Sequence, residues 1–204
     1  MKKLTIVIFL FLSTLSSAQM KKDILNPDVP VVYLGADFSQ VRFTKADEFI
    51  NKPDILKFFV DMNNIIDSKN NTNFICNKLN REEIKKDFSY VTKINESVDW
   101  QSVYSDDTEY GLSVEAIENM IKKLNIDRNL YKDFIGFVIC QENFSKTKEL
   151  GTVALVFFNV NELKPLFIKH CSSKPSGFGF FYYWSVINAL AINKLKKLDK
   201  ELTQ

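Results

Sequence analysis

The chain has 204 residues, 46% of them hydrophobic and 25% charged, and its aromatics include 18 phenylalanines and 7 tyrosines. That length suits one domain with enough apolar chain to bury an aromatic-rich core, and no internal repeat or low-complexity tract interrupts it. A formal charge of +2, from 27 basic and 25 acidic residues, argues against nucleic acid or an anionic membrane as the main partner.

The first stretch is an address. Met1-Lys2-Lys3 is followed by an apolar run from Leu4 to Leu15 and by Ser16-Ser17-Ala18 ahead of Gln19. A basic start, a short apolar core and small residues at the cut make a secretory signal peptide over residues 1–18. The run falls short of the roughly 20 residues a membrane span needs, and no cysteine near the cut offers a lipid anchor. Cleavage after Ala18 is expected to leave a soluble secreted or periplasmic chain with no membrane span. Losing Lys2 and Lys3 leaves 25 basic residues against 25 acidic ones, a net charge of zero.

Residues 19–30 are polar and contain Pro27 and Pro30, which predicts a flexible lead-in to a single domain over 31–204. Val31 to Lys45 reads as a long strand with a break at Gly35 or Ala36. Pro53-Asp54 opens a helix carrying Ile55, Phe58, Phe59, Met62, Ile65 and Ile66 at helical spacing. Ser68 to Asn73 reads as a loop, and residues 74–87 as a second helix with Ile75, Leu79 and Ile84 inward. Tyr90, Thr92 and Ile94 alternate, so Ser89 to Ile94 reads as a weak strand. Ser113 is an N-cap for a helix to about Leu124, with Val114, Ile117, Met120, Ile121 and Leu124 inward.

Phe134 to Cys140, Gly151 to Phe158 and Leu163 to Cys171 then give three apolar strands, with Gln141 to Leu150 as a polar turn region. Continuous apolar runs mean both faces are covered, and the short connections predict an antiparallel meander. The last helix follows the hinge Lys174-Pro175-Ser176-Gly177-Phe178-Gly179. Phe180, Trp184, Ile187, Ala191, Leu195, Leu198 and Leu202 form its buried stripe, and Asn188, Lys194, Lys197 and Glu201 its wet side. The fold class expected from these elements is α+β: an antiparallel-dominated sheet, with a mixed sheet as the variant, packed by helices and by a long C-terminal one.

Chemistry is sparse. The three cysteines, Cys76, Cys140 and Cys171, are an odd number without close spacing, so they are no disulfide framework. Cys140 and Cys171 end strands two apart, about 9.5 Å, beyond the roughly 7 Å a bridge tolerates. His170, the only histidine, neighbours Cys171 but points to the opposite face of a strand, which separates a base from its nucleophile. The four residues lack zinc spacing. The acidic run Asp106 to Gly111 fails as a calcium loop at Tyr110 and Ile117. Three sequons, beginning at Asn70, Asn95 and Asn143, fit chance in an asparagine-rich chain. The hinge has the outline of an anion loop, with Lys174 as its charge and Ser176, Gly177 and Gly179 at its turn, but no Gly-Lys-Ser/Thr ending.

Phe137 to Glu149, Thr152 to Val160, the Lys174-to-Phe180 run with Tyr183-Trp184, and Tyr33 to Arg42 together resemble a family of uncharacterised secreted proteins from Bacteroidetes-type bacteria. The resemblance touches about a third of the chain. It implies a periplasmic or exported α/β protein and no activity, cofactor or site residue.

The residues therefore lead to an exported, non-catalytic module of the cell envelope that binds a partner protein or small ligand, without metal or cofactor. Trp100, Tyr104 and Tyr110, aromatic rings in a polar stretch, are the expected contact surface. The alternatives are an exported hydrolase using Cys171 or Cys140 with His170, and an anion-binding module at Ser176 to Gly179.

Overall fold

A computed structural model describes residues 21–44, 54–67 and 69–202; the signal peptide expected over residues 1–18 lies outside them. In chain order the elements are β1 (Val31–Asp37), β2 (Arg42–Thr44), α1 (Ile55–Ile66), α2 (Lys69–Lys78), β3 (Lys85–Lys86), α3 (Ser89–Glu96), β4 (Tyr104–Ser105) and α4 (Val114–Lys123). Then come β5 (Ile135–Ser145), β6 (Leu150–Asn159), β7 (Lys164–Ser173), α5 (Gly179–Asn193), a 3₁₀ turn (Lys194–Lys197) and α6 (Leu198–Leu202).

Strand β5 is the centre of a seven-stranded sheet. Along one edge it pairs in parallel with β1 over its first half, Val31 opposite Ile135, and with β2 over its second half, Phe43 opposite Phe144. Outside these, β3 runs parallel to β1 and β4 parallel to β2. On its other edge β5 pairs antiparallel with β6, and β6 antiparallel with β7.

Four of the six pairings are thus parallel, and the fold is α/β with a mixed sheet. This corrects the expected α+β class with its antiparallel-dominated sheet. The expected meander is present, but it makes up only the β5–β6–β7 side. On the parallel side β1 passes straight into β2 through residues 38–41, both lying along the same edge of β5. The connections from β2 to β3, β3 to β4 and β4 to β5 run through helices, which return the chain in the same direction.

Three local corrections explain the difference. Residues 69–78 are helical, where a loop and then a helix over 74–87 were expected. Ser89–Glu96 is a helix, not a strand: Val91 and Asn95, four apart, are its buried residues, and the Thr92 N–H bonds back to the Phe88 carbonyl. Strand β5 continues to Ser145, so the turn region shrinks to the residues between Ser145 and Leu150.

The sheet separates two cores. One, with Tyr33, Phe43, Phe137, Phe144 and Phe157, is covered by α1, α2 and α5; the other, with Val138, Cys140, Ala154 and Val156, by α3 and α4. Residues 21–30 pack on the first: Ile24 is fully buried, and the Arg81 guanidinium donates to the carbonyls of Asp23, Ile24, Pro27 and Val29.

The C-terminal stripe is buried from Trp184 to Leu202, although the helix breaks into 3₁₀ at Lys194. Asn188 is not on a wet side. It is 1% exposed and accepts from Gln141 Nε2 at 2.7 Å. Ser113 caps α4 as expected, its hydroxyl accepting from the Ala116 N–H at 3.1 Å. Among the described residues no helix is long and apolar enough to cross a membrane.

Candidate functional site

The most exposed large apolar side chain among those described is Phe178, at 95%, just ahead of α5; Tyr182, one turn into the helix, is 65% exposed. Gly177 (φ +125°) and Gly179 (φ +76°) flank Phe178, in backbone conformations that side chains resist. The two glycines therefore turn the chain tightly and hold the Phe178 ring outward. Just along the chain, α1 and the first turn of α5 form a groove of about 330 Å³ lined by Asp54, Ile55, Lys57, Phe58, Asp61, Phe180 and Phe181.

The floor is a packed aromatic set. Phe58 lies 4.9 Å from Phe180 and 5.9 Å from Phe181 between centroids, and Phe180 is 6.3 Å from Phe43. Two half-buried rings with their inner sides pinned to the core present rigid apolar surface at little entropic cost. The rim is acidic: Lys57 is paired with Asp61, and Asp54 is a second carboxylate in the groove's lining.

A second concentration of side chains lies near the carboxyl ends of the parallel strands, the usual place for chemistry in such sheets. Asp37, Thr44, Gln141, Glu142, Asn143 and Ser145 are all buried there. Glu142, the extra residue of a bulge between Gln141 and Asn143, lies on the same side as Cys140, under α4. Its Oε1 accepts the Leu112 N–H at 3.0 Å and lies 2.9 Å from His170 Nδ1. Nearby, the Arg42 guanidinium sits 5.0 Å from the centre of the Tyr110 ring.

The structure distributes the sequence-predicted residues differently from the expectation. Trp100 and Tyr104 are partly buried against the first core and Tyr110 against the second, so the three do not form one contact surface. Lys174, Ser176, Gly177 and Gly179 are exposed, and the loop offers the Phe178 ring rather than a polar cradle. Ser176 does not cap the helix: the N-cap is Phe178, which makes no side-chain bond.

The three cysteines are free and buried. Burial pushes the thiols of Cys76, Cys140 and Cys171 up, Cys140 farthest, with Asp37 and Glu142 adding to the effect there. Cys140 and His170 share a row across β6, each opposite Ala154, which sets them about 9.5 Å apart between backbones. Cys171 belongs to the opposite core. No cysteine therefore joins His170; its partner is Glu142, which sequence reasoning missed. The groove was missed as well, and the exposed Phe178 between two glycines was the visible signal of an apolar surface ahead of α5.

In comparisons with known proteins the chain matches no family model, no curated protein and no solved structure.

Proposed function

We propose that the chain is an exported envelope protein that binds a partner protein through the aromatic shelf at the head of α5. One observation carries the reading: Phe178 is 95% exposed, two residues ahead of Phe180, which with Ile55, Phe58 and Phe181 walls an apolar groove. A phenylalanine this exposed contributes little to folding, and burial against a partner would return on the order of 2 kcal/mol. The occupant is an apolar side chain of the partner with a cationic residue next to it, the cation meeting Asp54. Export rests on the leader at residues 1–18, and a balanced surface suits a specific protein contact over polyanion binding.

The test is site-specific photocrosslinking in cells that export the chain. Benzoylphenylalanine at position 178 or 182 should yield the same adduct, absent when the probe stands at Lys132, an exposed position outside the groove lining. Phe178→Ser should then weaken binding of the purified partner by about 30-fold, the scale of an aromatic hot spot, with the melting temperature unchanged. Identical adducts from all three positions, or full affinity in the variant, would overturn the proposal.

A further inference from the structure

The pair Glu142–His170 lies on the opposite face of the sheet from the aromatic groove, and partner binding does not account for it. Glu142 is 2% exposed, and burying a carboxylate costs several kcal/mol unless it is met by donors. Its Oε1 takes two, the Leu112 N–H at 3.0 Å and His170 Nδ1 at 2.9 Å. The peptide donor belongs to the residue before the N-cap of α4, so the carboxylate is clamped between a strand and the start of a helix. The His170 side chain is 50% exposed.

A carboxylate accepts only. The neutral imidazole therefore carries its proton on Nδ1, and Nε2 keeps a free lone pair. This is the base and the orienting group of a catalytic triad, with the base turned to the open side. Ser172, two residues along β7, shares the His170 face, and Thr152 stands opposite Ser172 on β6. The negative charge behind the ring repels anionic substrates and tolerates neutral ones.

We propose that His170, positioned by Glu142, is a general base for hydrolysis of small neutral acyl esters. Nε2 takes a proton from water as the water oxygen bonds to the ester carbonyl carbon. The tetrahedral intermediate then breaks its bond to the alkoxy oxygen, which leaves with the proton from Nε2, giving acid and alcohol. His170 is the catalytic residue and Glu142 a positioning residue.

Because His170 is the only histidine, two measurements on the mature chain decide the matter. With 4-nitrophenyl acetate as probe, His170→Gln should lower the protein-dependent rate by about a hundredfold. Glu142→Gln should lower it about tenfold, and Glu142→Asp should recover part of the loss. In ¹⁵N spectra the single imidazole should show the Nδ1-protonated tautomer in the wild type and lose that preference in Glu142→Gln. Circular dichroism on His170→Gln, a change at a half-exposed side chain, establishes that the fold is kept. A His170→Gln protein as fast as wild type, or a wild-type rate no higher than that of equimolar free imidazole, overturns the proposal. So does a Glu142→Gln protein unchanged in both rate and tautomer.

Discussion

The outer edge of β1 supports a sharp test of how this sheet is held together. Strand β3 pairs with only Val32 and Tyr33, and among the described residues no strand neighbours the backbone beyond Tyr33 on that side. Two asparagines complete the edge. Asn63 Oδ1 accepts the Ala36 N–H at 2.8 Å, and its Nδ2 donates to the Ala36 carbonyl at 2.9 Å. Asn95 Oδ1 accepts the Phe38 N–H at 2.8 Å, and its Nδ2 donates to the same Ala36 carbonyl at 2.9 Å. Both side chains are buried, at 5% and 1% exposure, so water does not replace them.

Asn63→Ala orphans the Ala36 N–H and Asn95→Ala the Phe38 N–H, each costing about 2 kcal/mol. The Ala36 carbonyl keeps one donor in either single variant and loses both in the double. The double variant should therefore cost more than the sum of the singles, by about 1–2 kcal/mol. Urea unfolding reads this directly. At a slope of about 2 kcal/mol per molar, each single shifts the midpoint by about 1 M, a large part of a stability of order 5–15 kcal/mol. Singles costing under about 0.5 kcal/mol, or a strictly additive double, would refute the account of asparagines standing in for a strand.

Two further outcomes follow from buried ionisable groups. No thiol of the folded chain should react with Ellman's reagent, and three should react in guanidinium, because Cys76, Cys140 and Cys171 are at most 6% exposed and burial raises their pKa values; one fast thiol in the native protein would contradict this. Burial also raises the Asp37 carboxyl, against the Ser39 hydrogen bonds and Lys123 that lower it. Its contribution to stability is therefore full below about pH 3.9 and lost as pH climbs through the raised folded value. Asp37→Asn keeps an oxygen for the Ser39 N–H, which sits at 2.7 Å, and removes the charge. The variant should melt higher than wild type at pH 7 and alike near pH 3; a lower melting temperature at pH 7 would sink the argument.

The sequence made some of this legible through period and capping. Residues 55–66 and 114–123 carry apolar side chains at helical spacing, Ser113 announces its helix, and the stripe from Trp184 to Leu202 is buried where periodicity placed it. What could not be read was polar residues doing core work. Asn63, Asn95, Gln141 and Asn188 look like solvent-facing residues until their partners, between 27 and 59 positions away, are in place. Ser89 to Ile94 alternates in a way that suits a strand, and only the burial of Val91 with Asn95 decides for a helix. The parallel half of the sheet stayed hidden because β2, β3 and β4 are two or three residues long, too short to leave a period. The groove depends on Phe58 and Phe180 meeting across more than a hundred residues of chain, which no local pattern encodes.

The bulge in β5 ties the misread strand to the polar site. Up to Gln141 the strand alternates strictly, Ile139 and Gln141 on the α5 side and Cys140 on the α4 side. Continued without interruption, that alternation would put Asn143 into the aromatic core and turn Phe144 away from it. The extra residue between Gln141 and Asn143 restores the phase. Phe144 returns to the first core and stacks on Trp184 at 5.0 Å, while Asn143 accepts from the Thr44 hydroxyl at 2.8 Å and donates to the Thr108 carbonyl at 3.3 Å. A pattern reader sees the alternation fail after Cys140 and ends the strand there; the fold instead inserts one residue and carries on. That residue is at the position of Glu142. Plain alternation already puts Glu142 on the Cys140 side, where it meets Leu112 and His170, and the bulge that follows keeps the next phenylalanine in the core. Packing and candidate chemistry thus meet at one point of the strand, where alternation sets the carboxylate and the bulge resets the phase for Phe144.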